Sequence, residues 1–242
     1  MMKNVIVFAL FSLVFVACKT EVKKQHQYED DAEVRDPEPI ADTNEKKMST
    51  TAEAIAYANG FENWNKVKEI KFTFNVDRDT IHSERSWNWK LKENEVTLTS
   101  AKDTITYNRT QIDSTNQKAD EGFVNDKYWL LAPFNLVWDS NSFTSEHQIK
   151  AVAPISNKEM QKLTIVYKNE GGYTPGDAYD FYFEGDFIIK EWVFRQKNAE
   201  KPSLITSWED YTTYNGIKIA KTHKRNEGDW TLHFTNIEVI TE

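Results

Sequence analysis

Between Ile70 and Ile240 the chain alternates apolar and polar residues in short runs. Ile70, Phe72, Phe74 and Val76 are separated by Lys71, Thr73 and Asn75, and Tyr179, Phe181 and Phe183 share a face. A period of two sends successive side chains to opposite sides of a strand, so each run predicts a strand with one buried face. Short polar turns punctuate the runs at Asp77–Thr80, Lys92–Asn94, Glu184-Gly185-Asp186 and Asn226–Asp229. Asn215-Gly216, between Leu204–Tyr214 and Ile217–Lys224, is the strongest short hairpin signal, because a type I′ turn needs positive φ at both central residues. In the last run the apolar positions change from even (Trp230, Leu232, Phe234) to odd (Ile237, Val239), which predicts a β-bulge near Thr235-Asn236. About eleven strands result, nearly all joined to the next in sequence. The expected fold class is mainly β, a single strongly curved antiparallel sheet with a few short helices over one face.

Two stretches break the alternation. Thr50-Thr51-Ala52-Glu53 has capping-box spacing, Ala52–Ala58 is rich in helix formers and Gly60 stands where a left-handed terminator belongs, so a helix of about three turns opens the domain. Ile55 and Ala58/Asn59, three to four apart, would face the core, with Tyr57 off that stripe. The second stretch is Phe123–Asp139, where only Asn135 is polar between Tyr128 and Trp138. A run this dense is buried or covers something. Pro133 donates no N–H and disfavours helix at Ala132. The expectation is a short helix over Asn125–Leu131, then an extended segment Phe134–Trp138, reached through a polar loop at Asn108–Gly122.

The first residues are of another kind. Lys3 precedes an apolar run, Val5–Val16, that is too short to span a bilayer and reads as a secretory signal. It ends in Phe15-Val16-Ala17-Cys18, which resembles the lipobox of bacterial lipoproteins, with Phe15 where that motif usually has Leu. Cys18 is the chain's one cysteine, so it has no partner for an internal disulfide. The resemblance implies cleavage before Cys18 and acylation of it, and a multiply acylated cysteine meets the requirement for two anchoring signals. From Lys19 to Met48 the chain has nine acidic residues, two prolines and no apolar periodicity, as a disordered tether does. The expected organisation is a signal peptide at 1–17, a lipidated cysteine and tether at 18–48, and one β domain at 49–242. A net charge of −8 excludes a nucleic-acid partner, which would require a basic patch.

The order of elements in the domain is similar to that of the periplasmic lipoprotein-carrier superfamily, the LolA-like and LppX-like proteins. The likeness rests on the opening helix ending at Gly60 with Trp64 and the strand Ile70–Val76, on YDFYFEGDFIIKEWVF around Gly185, and on YTTYNGIKIAKTHKR followed by WTLHFTNIEVI. It implies an open half-barrel whose concave apolar face is capped by helices and accommodates acyl chains. A chain anchored at Cys18 departs from the soluble carrier of that superfamily, and the shuttle role is not carried over.

No catalytic motif stands out. Gly-x-Ser-x-Gly and a Walker-type loop are absent, and no two of His26, His82, His147, His223 and His233 have helical ligand spacing. His82 and His233 fall on the polar faces of their strands, and solvent-facing histidines are the default expectation, with no metal site and no cofactor. Arg85 shares a strand face with Trp87 and Trp89. A cation there would bind a lipid headgroup or a lid, but the favoured reading puts Arg85 near the strand end, reaching solvent with its stem on Trp87. The eight tryptophans are read mainly as core packing.

The leading functional expectation is a non-catalytic cell-envelope lipoprotein, on the periplasmic or the surface face of the outer membrane. It would bind an acyl chain or other apolar ligand between sheet and cap, through Phe72, Phe74, Arg85, Trp87, Trp89, Tyr128, Trp129, Phe134 and Trp138. Its partners would be the membrane, through Cys18, and a lipid or apolar ligand, with an envelope protein as a further class. The alternative is a surface module that binds glycan or protein through exposed aromatics such as Tyr173, on an inert scaffold.

Overall fold

The computed structural model describes residues 50–170 and 172–242. The expected signal peptide, Cys18 and tether, and with them His26, lie outside the described residues. Helix α1 (Thr51–Ala58) is capped by Thr50, whose hydroxyl accepts from the Glu53 N–H while the Glu53 carboxylate accepts from the Thr50 N–H. This is the reciprocal pair that the Thr-x-x-Glu spacing predicts. Ile55 and Asn59 face inward and Tyr57 outward, as expected.

Strands β1 (Val67–Arg78), β2 (Ile81–Lys90), β3 (Glu95–Thr99) and β4 (Thr104–Asn108) precede a long helix, α2 (Gln117–Trp138). After it come β5 (Phe143–Val152), β6 (Glu159–Tyr167), β7 (Ala178–Phe183), β8 (Ile189–Arg195) and β9 (Leu204–Ser207). The chain ends with β10 (Glu209–Tyr214), β11 (Ile217–Lys224) and β12 (Trp230–Thr241). The order β10-β11-β12-β1-β2-β3-β4 makes a seven-stranded sheet and β5-β6-β7-β8-β9 a five-stranded one, antiparallel throughout.

The described residues are therefore mainly β, and they form an open arrangement with no closed barrel among them, as the alternation implied. The expected single sheet is in hydrogen-bonding terms two sheets that meet at one bridge, Thr206 to Arg225. The reason lies in the run Leu204–Tyr214, which was read as one strand. It divides at the buried Trp208, so that β9 pairs with β8 and β10 with β11. Among the described residues, twelve strands replace the expected eleven or so. The predicted bulge is present: pairing of β1 with β12 slips between Lys71–Glu238 and Thr73–Thr235, with Asn236 at φ 51° and its amide donating to Thr73 Oγ1 at 3.2 Å. That extra residue turns the apolar set from even to odd while keeping it on the inner face.

Helix α2 departs most from expectation. It starts at Gln117, inside the segment read as a loop, and Phe134–Trp138 is helical rather than extended. The break falls at Leu131 (φ −129°, ψ 29°), two residues before Pro133. A proline needs no N–H donor in the first turn of a helix, so Pro133 starts a second helical segment instead of ending the first. Among the described residues, no helix is long and apolar enough to cross a membrane.

The Asn215-Gly216 turn has φ of 47° and 85°, the type I′ signature, and it packs under α1. Gly60 (φ 90°) lies against it so closely that a Cβ would collide with the Gly216 carbonyl oxygen. Gly228 (φ 76°) has open space around it. Gly228→Ala should cost only the left-handed backbone penalty, about 1 kcal/mol, and Gly60→Ala about 2 kcal/mol or more, because clash adds to strain. Urea midpoints of the two variants test this, and equal losses would refute the contact.

Candidate functional site

Helix α2 lies against the inner faces of both sheets and is fixed there by charge as well as by packing. Asp126 is fully buried, and its carboxylate receives Arg85 Nε and Nη2, each at 2.5 Å, together with Trp87 Nε1 at 2.7 Å. The Asn125 amide donates as well, at 2.9 Å. A carboxylate with four donors is tolerated in an apolar setting where a bare one is not. Arg85 does keep 37% of its side chain exposed, as expected, but its guanidinium also spans from β2 to the helix. No local pattern favours the lid contact, because Asp126 is 41 residues away in the chain. Aromatic contacts extend the attachment. Phe123 meets Trp87 and Trp89 of β2, Trp129 meets Trp192 of β8 with ring centroids 4.3 Å apart, and Tyr128 meets Tyr179 of β7 at 4.9 Å.

The helix does not fill the space beneath it. A cavity of about 390 Å3 lies between α2 and the strands, walled chiefly by Phe74, Trp129, Tyr179, Trp192, Trp230 and Leu232. Protein interiors are normally packed to crystal density, and 390 Å3 is within the range of small-molecule sites. Arg78, Glu121 and Asn125 are polar members of its wall. Burial pushes the Tyr128 and Tyr179 hydroxyls well above their ordinary range, so both remain protonated.

Val124, Tyr128, Tyr173 and Thr174 border this groove and also a second cavity of about 390 Å3. The second one is polar, with Arg109, Lys127, Asn135, Asp139, Tyr167 and Lys168 in its wall. Lys127 Nζ donates to Asn135 Oδ1 at 3.1 Å and lies 4.9 Å from the centre of the Trp138 ring. Lys127 as a whole is half-buried. Burial lowers its pKa to about 8, and the charge of Asp139 offsets this only in part. Asp139 accepts the Tyr167 O–H at 3.0 Å.

The residues proposed from sequence are thus distributed among several surroundings. Phe74, Tyr128 and Trp129 border the apolar groove. Trp89 and Trp138, with Trp64, Leu91 and Lys127, line a shallower hollow on the far side of Lys127. Phe72, Trp87 and Phe134 are buried in the core, and Arg85 is taken up by Asp126. Sequence reading missed Val124, Trp192, Phe194, Leu204, Trp230 and Leu232 in the groove wall, and Lys127 altogether. The strand residues carried a signal, since each shares a parity with the apolar face of its run. Lys127 carried none, because a lysine flanking an apolar stretch reads as solvated. Tyr173 is 40% exposed, but its hydroxyl donates to Asp120 at 2.8 Å, so it is not a free platform.

The histidines divide similarly. His82 and His233 do meet across β1, on either side of Asp77, at 2.7 Å and 3.3 Å from its oxygens. Among the described residues, no group of three or more His, Cys, Asp or Glu is arranged to hold a metal ion. His223 contradicts the solvent-facing expectation. It is fully buried at the junction of the sheets, edge-on to Trp208, Trp129 and Phe234, and neither ring nitrogen makes a hydrogen bond of ordinary geometry. It shares the parity of Ile217 and Ile219, which was the available signal. Burial lowers its pKa to about 3.

No family model matches the sequence. No curated protein matches it either. Similar solved structures include a DUF1329 family protein from Desulfovibrio piger, at 9% identity and a TM-score of 0.46, covering 78% of this chain and 91% of that one. A LolA superfamily protein from Nitrosomonas europaea has 9% identity and a TM-score of 0.48, with 80% and 96% covered. An outer membrane lipoprotein-sorting protein domain from Vibrio parahaemolyticus has 9% identity and a TM-score of 0.41, with 78% and 93% covered. The superfamily named from the sequence is among these neighbours.

Removing the Arg85 guanidinium leaves the Asp126 charge buried, so Arg85→Met should destabilise by about 3 kcal/mol, and Asp126→Leu in the same chain should recover part of it. A double-mutant cycle from urea melts checks this, and additive losses would count against the pair. His223 supplies a pH signature. The unfolded chain takes up its proton below about 6.5, whereas the folded one resists until about 3. Stability should therefore fall as pH drops through that window, by up to about 1.4 kcal/mol per unit from this group. His223→Phe removes the component, so the variant should gain on the parent between pH 7 and pH 5. A constant difference in midpoint would show that His223 is not the source.

Proposed function

We propose that this protein binds an acyl chain or similar apolar ligand, without catalysis, in the groove between α2 and the two sheets. We further propose that it does so at the cell envelope, held to the membrane by acylated Cys18 at the end of a disordered tether. The observation that carries the reading is the groove itself. A chain with 14 phenylalanines, ten tyrosines and eight tryptophans had ample bulk to fill the space, yet about 390 Å3 stays free and is walled mainly by aromatic and aliphatic side chains. An apolar occupant would gain roughly 25 cal/mol for each Å2 it removes from water, with little polar surface to desolvate. The clamp at Asp126 supports a standing cavity, because it holds α2 against β2 without requiring side chains to fill the space beside it.

The test is Trp fluorescence of the full chain carrying Cys18→Ser, so that its own acyl groups do not compete. Trp129, Trp192 and Trp230 border the groove, and a brominated octadecanol, which is uncharged, should quench them saturably. Leu204→Phe, which places a larger side chain in the wall, should weaken the affinity roughly tenfold. No saturable quenching in the parent chain would overturn the proposal.

A further inference from the structure

The apolar groove adjoins a chamber of opposite character, and the side chains there select one class of ligand. Lys127 and Asn135 stand on consecutive stretches of α2, on either side of the break at Leu131. Lys127 Nζ uses one of its donors on Asn135 Oδ1. That bond fixes the orientation of the amide, so the Asn135 nitrogen is the group left over, and it is buried without a hydrogen-bond partner. Two ammonium protons thus remain to donate beside a cavity of about 390 Å3, and the Asn135 N–H₂, shielded from solvent, lies next to them. Every one is a donor.

Three cations border the chamber. Arg109 is held by Asp120 at 2.7 Å, Lys168 is exposed and donates to the Asn141 carbonyl at 2.6 Å, and Lys127 is the one that stands beside Asn135. Asp139 is occupied by the Tyr167 hydroxyl, and Glu170 is exposed. Among the described residues Lys127 has no carboxylate within ion-pair distance, and burial disfavours its charge. A buried cation without a counter-ion is a cost that a bound anion removes.

The chamber shares Val124, Tyr128, Tyr173 and Thr174 with the groove, so the two spaces are neighbours with a common wall. We infer that the ligand is a single-chain amphiphile with an anionic head, a carboxylate or a phosphate. Its chain lies in the groove beneath α2, and its head is bound by Lys127 and the Asn135 amide. This rests on the groove reading above and adds the identity of the head. Trp138 against the ammonium excludes water from one side, which strengthens the charge–charge attraction.

The experiment compares three C18 probes on the full chain with Cys18→Ser at pH 7: the uncharged brominated octadecanol, brominated octadecanoate and octadecyl phosphate, the last by competition. The expected result is that one or both anionic probes bind at least tenfold tighter than the alcohol. Which of them does so identifies the head. Lys127→Met should abolish that preference while leaving the alcohol affinity within about twofold, which also shows the groove intact, and Lys127→Arg should keep most of it. Equal affinities in the parent chain, or a preference that survives Lys127→Met, overturn the inference and leave the groove reading standing. Failure of all three probes overturns both. Calorimetry with inorganic phosphate supplies the remaining arm. Binding as tight as that of octadecyl phosphate would mean a site for a free anion and overturn the amphiphile assignment.

Discussion

Two sheets that meet without closing into a barrel leave an apolar inner face, and α2 is the element that covers it. The helix could not be held by hydrophobic burial alone in one position, because burial is indifferent to register. Asp126 removes that freedom. Its carboxylate fits only where Arg85 and Trp87 of β2 converge, so the helix is pinned at one point, and its aromatic residues then meet their partners on β7 and β8. The groove follows from this arrangement. A polar clamp sets where the helix stands, and the walls remain apart where side chains do not bridge the distance.

The same helix gives the site its two characters. Trp129 and Tyr128 face the apolar groove, while Lys127 and Asn135 belong to the polar chamber beside it. The break at Leu131 makes this feasible, since it separates the segment that carries Lys127 from the one that carries Asn135. A straight helix has a constant 100° step between residues and would present these side chains in a fixed sequence around its axis. Pro133, which looked like the end of the helix, is what allows it to change direction and continue.

His223, Trp208 and Trp192 occupy the place where the two sheets meet, and several of their ring nitrogens have no partner. Such groups weaken a core. They sit where β9 hands over to β10 and where the hydrogen-bonded ladder is reduced to the Thr206–Arg225 bridge. The junction is thus the least satisfied part of the interior, and its titratable member makes its stability depend on pH.

Much of this was legible in the residues themselves. Alternation from Ile70 to Ile240, the Asn215-Gly216 turn, the slip at Thr235-Asn236 and the capping box at Thr50 each act over a few neighbours, and each appears in the fold where local chemistry places it. What only the tertiary structure decided is everything that depends on distant partners: that Arg85 finds Asp126, that Leu204–Tyr214 divides between two sheets, that Phe134–Trp138 continues as helix, and that Lys127 has no counter-ion among the described residues. Propensity and periodicity are sums over adjacent residues. The charge left unpaired and the space left unfilled depend on which far-apart side chains the fold brings together, and no window of sequence contains that information.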